Sequence, residues 1–139
     1  MDAMLTSALH FYRYPLTMSN LDKHRYLLLG TLKKNGDYVD TPVWFAKDGN
    51  TLYMFSTGDA GKVKRLRNFH DARVAPCTVS GKSLGEFSAA KAELINDDAG
   101  QAEAHRQLIK KYGWQMRLLD VGARLAGRIR SRAFIKAEL

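Results

Sequence analysis

Residues 40–68 read DTPVWFAKDGNTLYMFSTGDAGKVKRLRN. Two apolar, aromatic-rich runs, Thr41–Ala46 and Thr51–Thr57, flank the polar turn Asp48-Gly49-Asn50. That pattern predicts a pair of strands. The second run closes on Ser56, Thr57 and Gly58, and a basic segment follows at once with Lys62, Lys64, Arg65 and Arg67. Val63, Leu66 and Phe69 recur every third residue. This predicts a short helix from Gly61 to Phe69 with one packed side, its cations facing outward or toward a ligand.

Chemistry can collect at the strand-to-helix junction. The first N–H groups of a helix lack internal partners and carry partial positive charge. Ser56 and Thr57 add hydroxyls, and Lys62, Lys64 and Arg65 add cations. Hydroxyls, bare N–H groups and ammonium groups converging on one spot suit a phosphate. The same residues also fit the solvated basic face of a surface helix. The residues alone leave both readings open.

Working outward toward the N-terminus, Arg25–Lys34 contains the unbroken apolar run Tyr26-Leu27-Leu28-Leu29. A strand with such a run is expected to be buried on both sides. Asn35-Gly36 then signals a hairpin, and Tyr38–Ala46 is the return strand. Val39, Thr41, Val43 and Phe45 fall on one face of it, and Asp40, Pro42, Trp44 and Ala46 on the other. Pro42 has no N–H for a ladder, so this strand is expected at an edge or with a bulge. Free backbone groups there could meet a flat ligand, and a plain edge strand fits equally. Residues 2–14 predict a weak amphipathic helix ended by Pro15. Ser19 or Asn20 can cap a second short helix running to His24.

Toward the C-terminus, Arg73–Val79 and Phe87–Ile95 read as two further strands around a turn at 81–85. Ala89, Ala90 and Ala92 would admit another strand or subunit closely. Asp97 or Asp98 can cap a helix that runs to Tyr112 and closes on Gly113. Another helix starts near Trp114, with Leu118, Val121, Gly122 and Leu125 on one side. Arg117, Arg124, Arg128, Arg130 and Arg132 make this region basic, and Ala133–Leu139 reads as a closing strand. Hairpin-linked strands dominate. The expected fold is mainly β with added helices: a six-stranded, mostly antiparallel barrel spanning residues 1–139 as one domain, with a helical extension at 1–20.

The 139 residues suffice for one domain with its own core. With 22 Lys and Arg against 14 Asp and Glu, the net charge of +8 favours an anionic partner. No run of about 18 apolar residues suggests a membrane span, and the N-terminus has no signal-peptide pattern. The single Cys77 cannot form an internal disulfide and reads as a small buried apolar residue, so a cytoplasmic setting is expected. His10, His24, His70 and His105 lack metal-ligand spacing, and no glycine-rich nucleotide loop occurs.

GDYVDTPVWFAKDG, LYMFSTGDAGKVKRLR and ARVAPC, in that order and spacing, resemble the pyridoxamine 5′-phosphate oxidase-like split β-barrels, and within them the small F420-dependent branch. The resemblance extends from about Leu21 to Leu139. It implies a homodimer that binds FMN or coenzyme F420 between its subunits and a flavin- or deazaflavin-dependent oxidoreductase acting on a small organic substrate. A non-catalytic cofactor binder would have the same sequence, and a basic nucleic-acid-binding module is a further alternative without a recognisable RNA motif. Haem binding, known among relatives of this barrel, would need an axial ligand, for which His70 lies near the site in sequence. By resemblance, Thr41, Pro42, Val43 and Trp44 contact the ring, with Trp44 or Tyr53 as a possible wall. Ser56, Thr57 and Lys62, with Lys64 and Arg65, hold the phosphate, and the arginines at 117–132 could serve the acidic F420 tail. No residue reads as a general acid or base. True pyridoxamine phosphate oxidases carry Ser-Arg-Lys where this chain has Ala60-Gly61-Lys62, so oxidation of pyridoxamine phosphate is not expected.

Overall fold

The computed structural model describes residues 21–127 and 131–139. The helix expected at 2–14 and the cap expected at Ser19 or Asn20 lie outside them. A 3-10 turn at Leu21–Lys23 leads into β1 (Tyr26–Leu32), β2 (Tyr38–Val43), β3 (Phe45–Asp48) and β4 (Thr51–Thr57). Helix α1 (Gly61–Leu66) and strands β5 (Asp71–Cys77) and β6 (Ser88–Ile95) follow. Helices α2 (Asp98–Tyr112) and α3 (Trp114–Leu125) precede β7 (Arg132–Glu138). Every pairing is antiparallel, in the order β2-β1-β5-β6-β7-β4-β3.

The described sheet therefore has seven strands, not six. Tyr38–Ala46 divides at Trp44: Val43 still pairs with Leu27 of β1, while Phe45 pairs with Met54 of β4. β2 and β3 are thus the two edges of the hydrogen-bonded order, joined through one residue. The sheet curls so that β2 comes beside β4. The in-out alternation passes through the break. Val43 and Phe45 both enter the main core, with Leu27, Leu29, Leu52, Met54 and Ile135. Trp44 and Ala46 join a second cluster with Leu108, Tyr112 and Met116, between the sheet and the two long helices. Periodicity alone could not reveal the division, because the break does not change the phase of the pattern.

Tyr112 serves the break directly. Its hydroxyl oxygen accepts the N–H of Phe45 at 3.0 Å. Its proton lies between the carbonyls of Arg25 at 2.7 Å and Phe45 at 2.9 Å. A side chain of α2 thus takes the place of a strand partner, as a buried backbone N–H requires. Burial pushes the Tyr112 hydroxyl up to about 12.

β1 is buried along its centre, as its unbroken apolar run requires. At Gly30 the strand carries no side chain because the flanking strands fill that space. Gly30 pairs with Asp40 on one side and Arg73 on the other. A Cβ there would collide with Asp40 Oδ1 and lie 2.7 Å from Arg73 Cγ. Across that gap Arg73 donates to both oxygens of Asp40, at 3.1 and 2.8 Å, with its guanidinium 4.0 Å from the Phe87 ring. Asp40 is therefore a paired structural carboxylate.

Pro42 sits on an edge strand, as expected. Pro76 lies past the end of the β5–β6 pairing, which runs only to Val74. Ala90 and Ala92 point into the core, where their small side chains suit the barrel interior. Helix α1 is shorter than predicted. Val63 and Leu66 are buried, but Phe69 falls beyond the last turn and is part-exposed. Asp97 caps α2 by accepting the N–H of Gly100 at 2.8 Å, and Gly113, at φ 60°, breaks the chain between α2 and α3.

Candidate functional site

Four elements meet around one cavity of about 500 Å³: the close of β4, the opening of α1, the middle of α3 and the opening of β7. Thr57 is paired with Arg132 across the β4–β7 ladder. Just beyond, the N–H of Gly58 donates to the carbonyl of Ser131 at 2.6 Å. This ties the turn before α1 to the start of β7. The lining divides by chemistry. Phe55, Leu118, Leu119 and Ala123 are apolar, Ser56 and Thr57 bring hydroxyls, and Lys62 and Arg132 bring the two cations. No carboxylate is among these lining residues. A cavity of this size, with one apolar wall and a few convergent polar groups, suits a small organic anion.

Lys62 reaches the cavity from the first turn of α1. Burial, and secondarily the Arg65 charge, lowers its pKa below the usual lysine value. An anion in the cavity would relieve both effects. Ser56, Thr57 and Lys62 are thus brought together as the sequence predicts. Lys64 is exposed on the next turn and is not part of the lining.

Arg65 goes elsewhere. Its Nε donates to Thr31 Oγ1 at 2.7 Å, and Thr31 is fully buried in β1. The guanidinium then lies over Gly61, where an added Cβ would be 2.9 Å from Nη1. The bare Cα of Gly61 leaves room for Arg65.

The four β2-region residues lie apart from the cavity lining. Val43 is buried in the main core, and Pro42 is exposed. Trp44 stacks on Tyr112. Thr41 Oγ1 is buried and has no hydrogen-bond partner among the described residues. Such an orphaned hydroxyl is uncommon and suits a ligand contact or bound water.

Arg132 was legible only as one member of a basic region. Its guanidinium stacks over the Phe55 ring at 4.8 Å and donates to Asp120 Oδ1 at 2.7 Å. The other Asp120 oxygen lies 2.8 Å from His105 Nε2. Burial pushes the Asp120 carboxyl upward, but the hydrogen bonds from Arg132 and His105 outweigh it and hold it below the usual carboxylate range. Arg124 borders a neighbouring cavity with His105 and Asp120, and Arg117 is exposed. Arg128 and Arg130 lie outside the described residues. His70 borders a separate cavity beside Lys91 and Lys136. Among the described residues, no three His, Cys, Asp or Glu side chains gather as a metal site would need. None of the described helices is long and apolar enough to cross a membrane.

No sequence-family model matches the chain. No curated protein matches it by sequence. Solved structures do match in fold. One is a candidate pyridoxamine 5′-phosphate oxidase from Listeria innocua, with TM-score 0.60 and 19% identity over 86% of this chain and 87% of that one. The fold is that of the pyridoxamine 5′-phosphate oxidase-like split barrels. HutZ, the heme storage protein of Vibrio cholerae, shares this fold, with TM-score 0.66 and 10% identity over 91% of this chain and 89% of that one. So does the flavocytochrome Anf3 of Azotobacter vinelandii, with TM-score 0.62 and 20% identity over 91% of this chain and 64% of that one.

Proposed function

We propose that this split-barrel protein is a flavin- or deazaflavin-dependent oxidoreductase that moves hydride to or from a small organic substrate and works as a homodimer with its cofactor at the subunit interface. The observation that carries the reading is the cavity lined together by Ser56, Thr57 and Lys62 and by the apolar Phe55 and Leu118. A phosphate suits the hydroxyl and ammonium end, and a flat aromatic group suits the apolar end. When bound, FMN or F420 supplies the hydride chemistry itself. The chain's part is to hold the phosphate, to exclude water with Phe55 and Leu119, and to orient the ring. The family resemblance gives ring contact to Thr41–Trp44, and the unmatched hydroxyl of Thr41 supports that assignment.

The Gly61 position favours this reading over oxidation of pyridoxamine phosphate. An arginine there, as in the Ser-Arg-Lys motif, would have to displace Arg65. The dimer is supported by the outer face of α3. Trp114, Leu118, Val121 and Leu125 form an exposed apolar stripe at helical spacing. Leu118 also borders the cavity, so a second copy seated on the stripe would lie beside the site.

The test is titration of the apo-protein with FMN and with F420, read by absorbance and fluorescence. Saturable binding that Lys62→Ala weakens about tenfold or more is the expected result. Binding of haem with neither flavin would overturn the reading, as would nucleic-acid binding with a steep salt dependence and no cofactor. Turnover with the reduced cofactor distinguishes an enzyme from a carrier.

A further inference from the structure

Arg132 is an unusual wall for a cavity. It opens β7 and its side chain is only 8% exposed, yet it borders two cavities, the one at Lys62 and the one at His105. Three elements fix it. β7 places it opposite Thr57, α3 supplies Asp120, and α2 supplies His105 to the far oxygen of Asp120. The Phe55 ring lies against the guanidinium, and Phe134 meets His105 edge-on at 6.2 Å. Asp120 engages one guanidinium nitrogen by one oxygen. A guanidinium has five N–H donors, and a carboxylate that wanted Arg132 for itself would take two of them side by side. Here the second oxygen is occupied by His105. The remaining donors have no other acceptor among the described residues, and Arg132 lines the same cavity as Ser56, Thr57 and Lys62.

We propose that Arg132 is the second cation of the phosphate subsite, and that Asp120 and His105 are positioning residues that aim it. This rests on the cofactor reading above and deepens it. The chain lacks an arginine at position 61. It places a guanidinium in the cavity from β7, next to Thr57 and held by Asp120 of α3, an arrangement that no short motif records. Arg132 and Lys62 then both reach one anion, and Asp120 keeps the guanidinium from turning away when the cavity is empty.

The experiment compares each phosphate-bearing cofactor with its phosphate-free counterpart: FMN with riboflavin, and F420 with its ribityl deazaflavin. Wild type, Arg132→Ala, Arg132→Lys and Asp120→Asn are titrated, with circular dichroism and thermal melts on each. Wild type should prefer the phosphate-bearing form. Arg132→Ala should lose about tenfold or more of that affinity, the scale of a lost charge-assisted hydrogen bond, with the phosphate-free form little changed. Asp120→Asn should lose part of it, and Arg132→Lys should recover part of what alanine removes. If Asp120→Asn does not fold, the two Arg132 variants carry the test. Equal losses for both ligand forms would make Arg132 merely structural and overturn the proposal while the cofactor reading stands. An unchanged preference in Arg132→Ala would overturn it in the same way. Binding of neither pair by wild type would remove the cofactor reading and this proposal together.

Discussion

Trp44 lies flat on Tyr112, with ring centroids 4.2 Å apart and planes 11° from parallel. The pair marks the place where the sheet passes from one edge to the other. Stacking holds the outward side chain, while the Tyr112 hydroxyl satisfies the backbone one residue later. Tyr112→Phe keeps the ring and removes the hydroxyl. It leaves the buried N–H of Phe45 without its acceptor, so we expect a loss of about 2 kcal/mol in urea unfolding. Tyr112→Leu should lose a further ~1 kcal/mol by removing the aromatic stack. A Tyr112→Phe protein as stable as wild type would show that the hydroxyl does not hold the strand break.

Lys62 and Arg65 sit in one short helix but face different tasks. Lys62→Ala should weaken FMN or F420 binding about tenfold or more, with the melting temperature nearly unchanged. Arg65→Ala should do the reverse. It strips the donor from the buried Thr31 hydroxyl and should cost about 1–2 kcal/mol of stability with little loss of cofactor affinity. Paired titrations and thermal melts on the two variants check this. Equal effects of both on binding would place Arg65 back in the site.

The residues that the sequence could place are those whose partners are near in the chain. The hairpin at Asn35-Gly36, the Asp97 cap, the Gly113 break and the grouping of Ser56, Thr57 and Lys62 all follow from local spacing and turn chemistry. The rest depends on partners far away. Nothing near Trp44 announces Tyr112. Nothing near Arg65 announces Thr31, whose hydroxyl accepts from its guanidinium. Arg132 appeared as one of several basic residues until α3 brought Asp120 against it. A pattern of alternation reports which face a side chain takes, but not which strand lies beside it. This is why one predicted strand proved to be two.

Lys111 offers a pH test. Its Nζ is buried without a hydrogen-bond partner among the described residues, 3.5 Å from the centre of the Phe45 ring. Burial lowers its pKa to about 8, with Asp22 opposing and Arg25 adding to the shift. Below pH 8 the amine is charged in the folded and unfolded chain alike, and folding bears the full cost of burying it. Between pH 8 and about 10.4, the usual lysine value, the folded chain releases the proton first and the cost fades. Lys111→Met should therefore stabilise the protein by about 1 kcal/mol at pH 7, after allowance for partial exposure and for the ring's attraction to the ammonium. The gain should disappear above pH 10.4. Urea unfolding of both proteins at pH 7 and pH 10.5 measures it. A gain of the same size at both pH values would mean that packing, not charge, is responsible.

The apolar stripe of α3 predicts an assembly. Leu118→Lys combined with Val121→Lys leaves the fold intact, since both side chains are exposed in the single chain. It should convert a dimer to a monomer in light scattering and weaken cofactor binding with it. A wild-type protein that is monomeric at all accessible concentrations would remove this surface as an interface.

β7 lies between β6 and β4 in the middle of the sheet. Until residues 132–138 leave the ribosome, the nascent chain holds two separate pieces of sheet, β2-β1-β5-β6 and β4-β3, each with an edge awaiting the same missing strand. Pairing of that kind spans long stretches of chain and forms slowly. The segment that joins the pieces also carries Arg132. During biosynthesis the sheet and the cavity wall that carries Arg132 are therefore completed in one step.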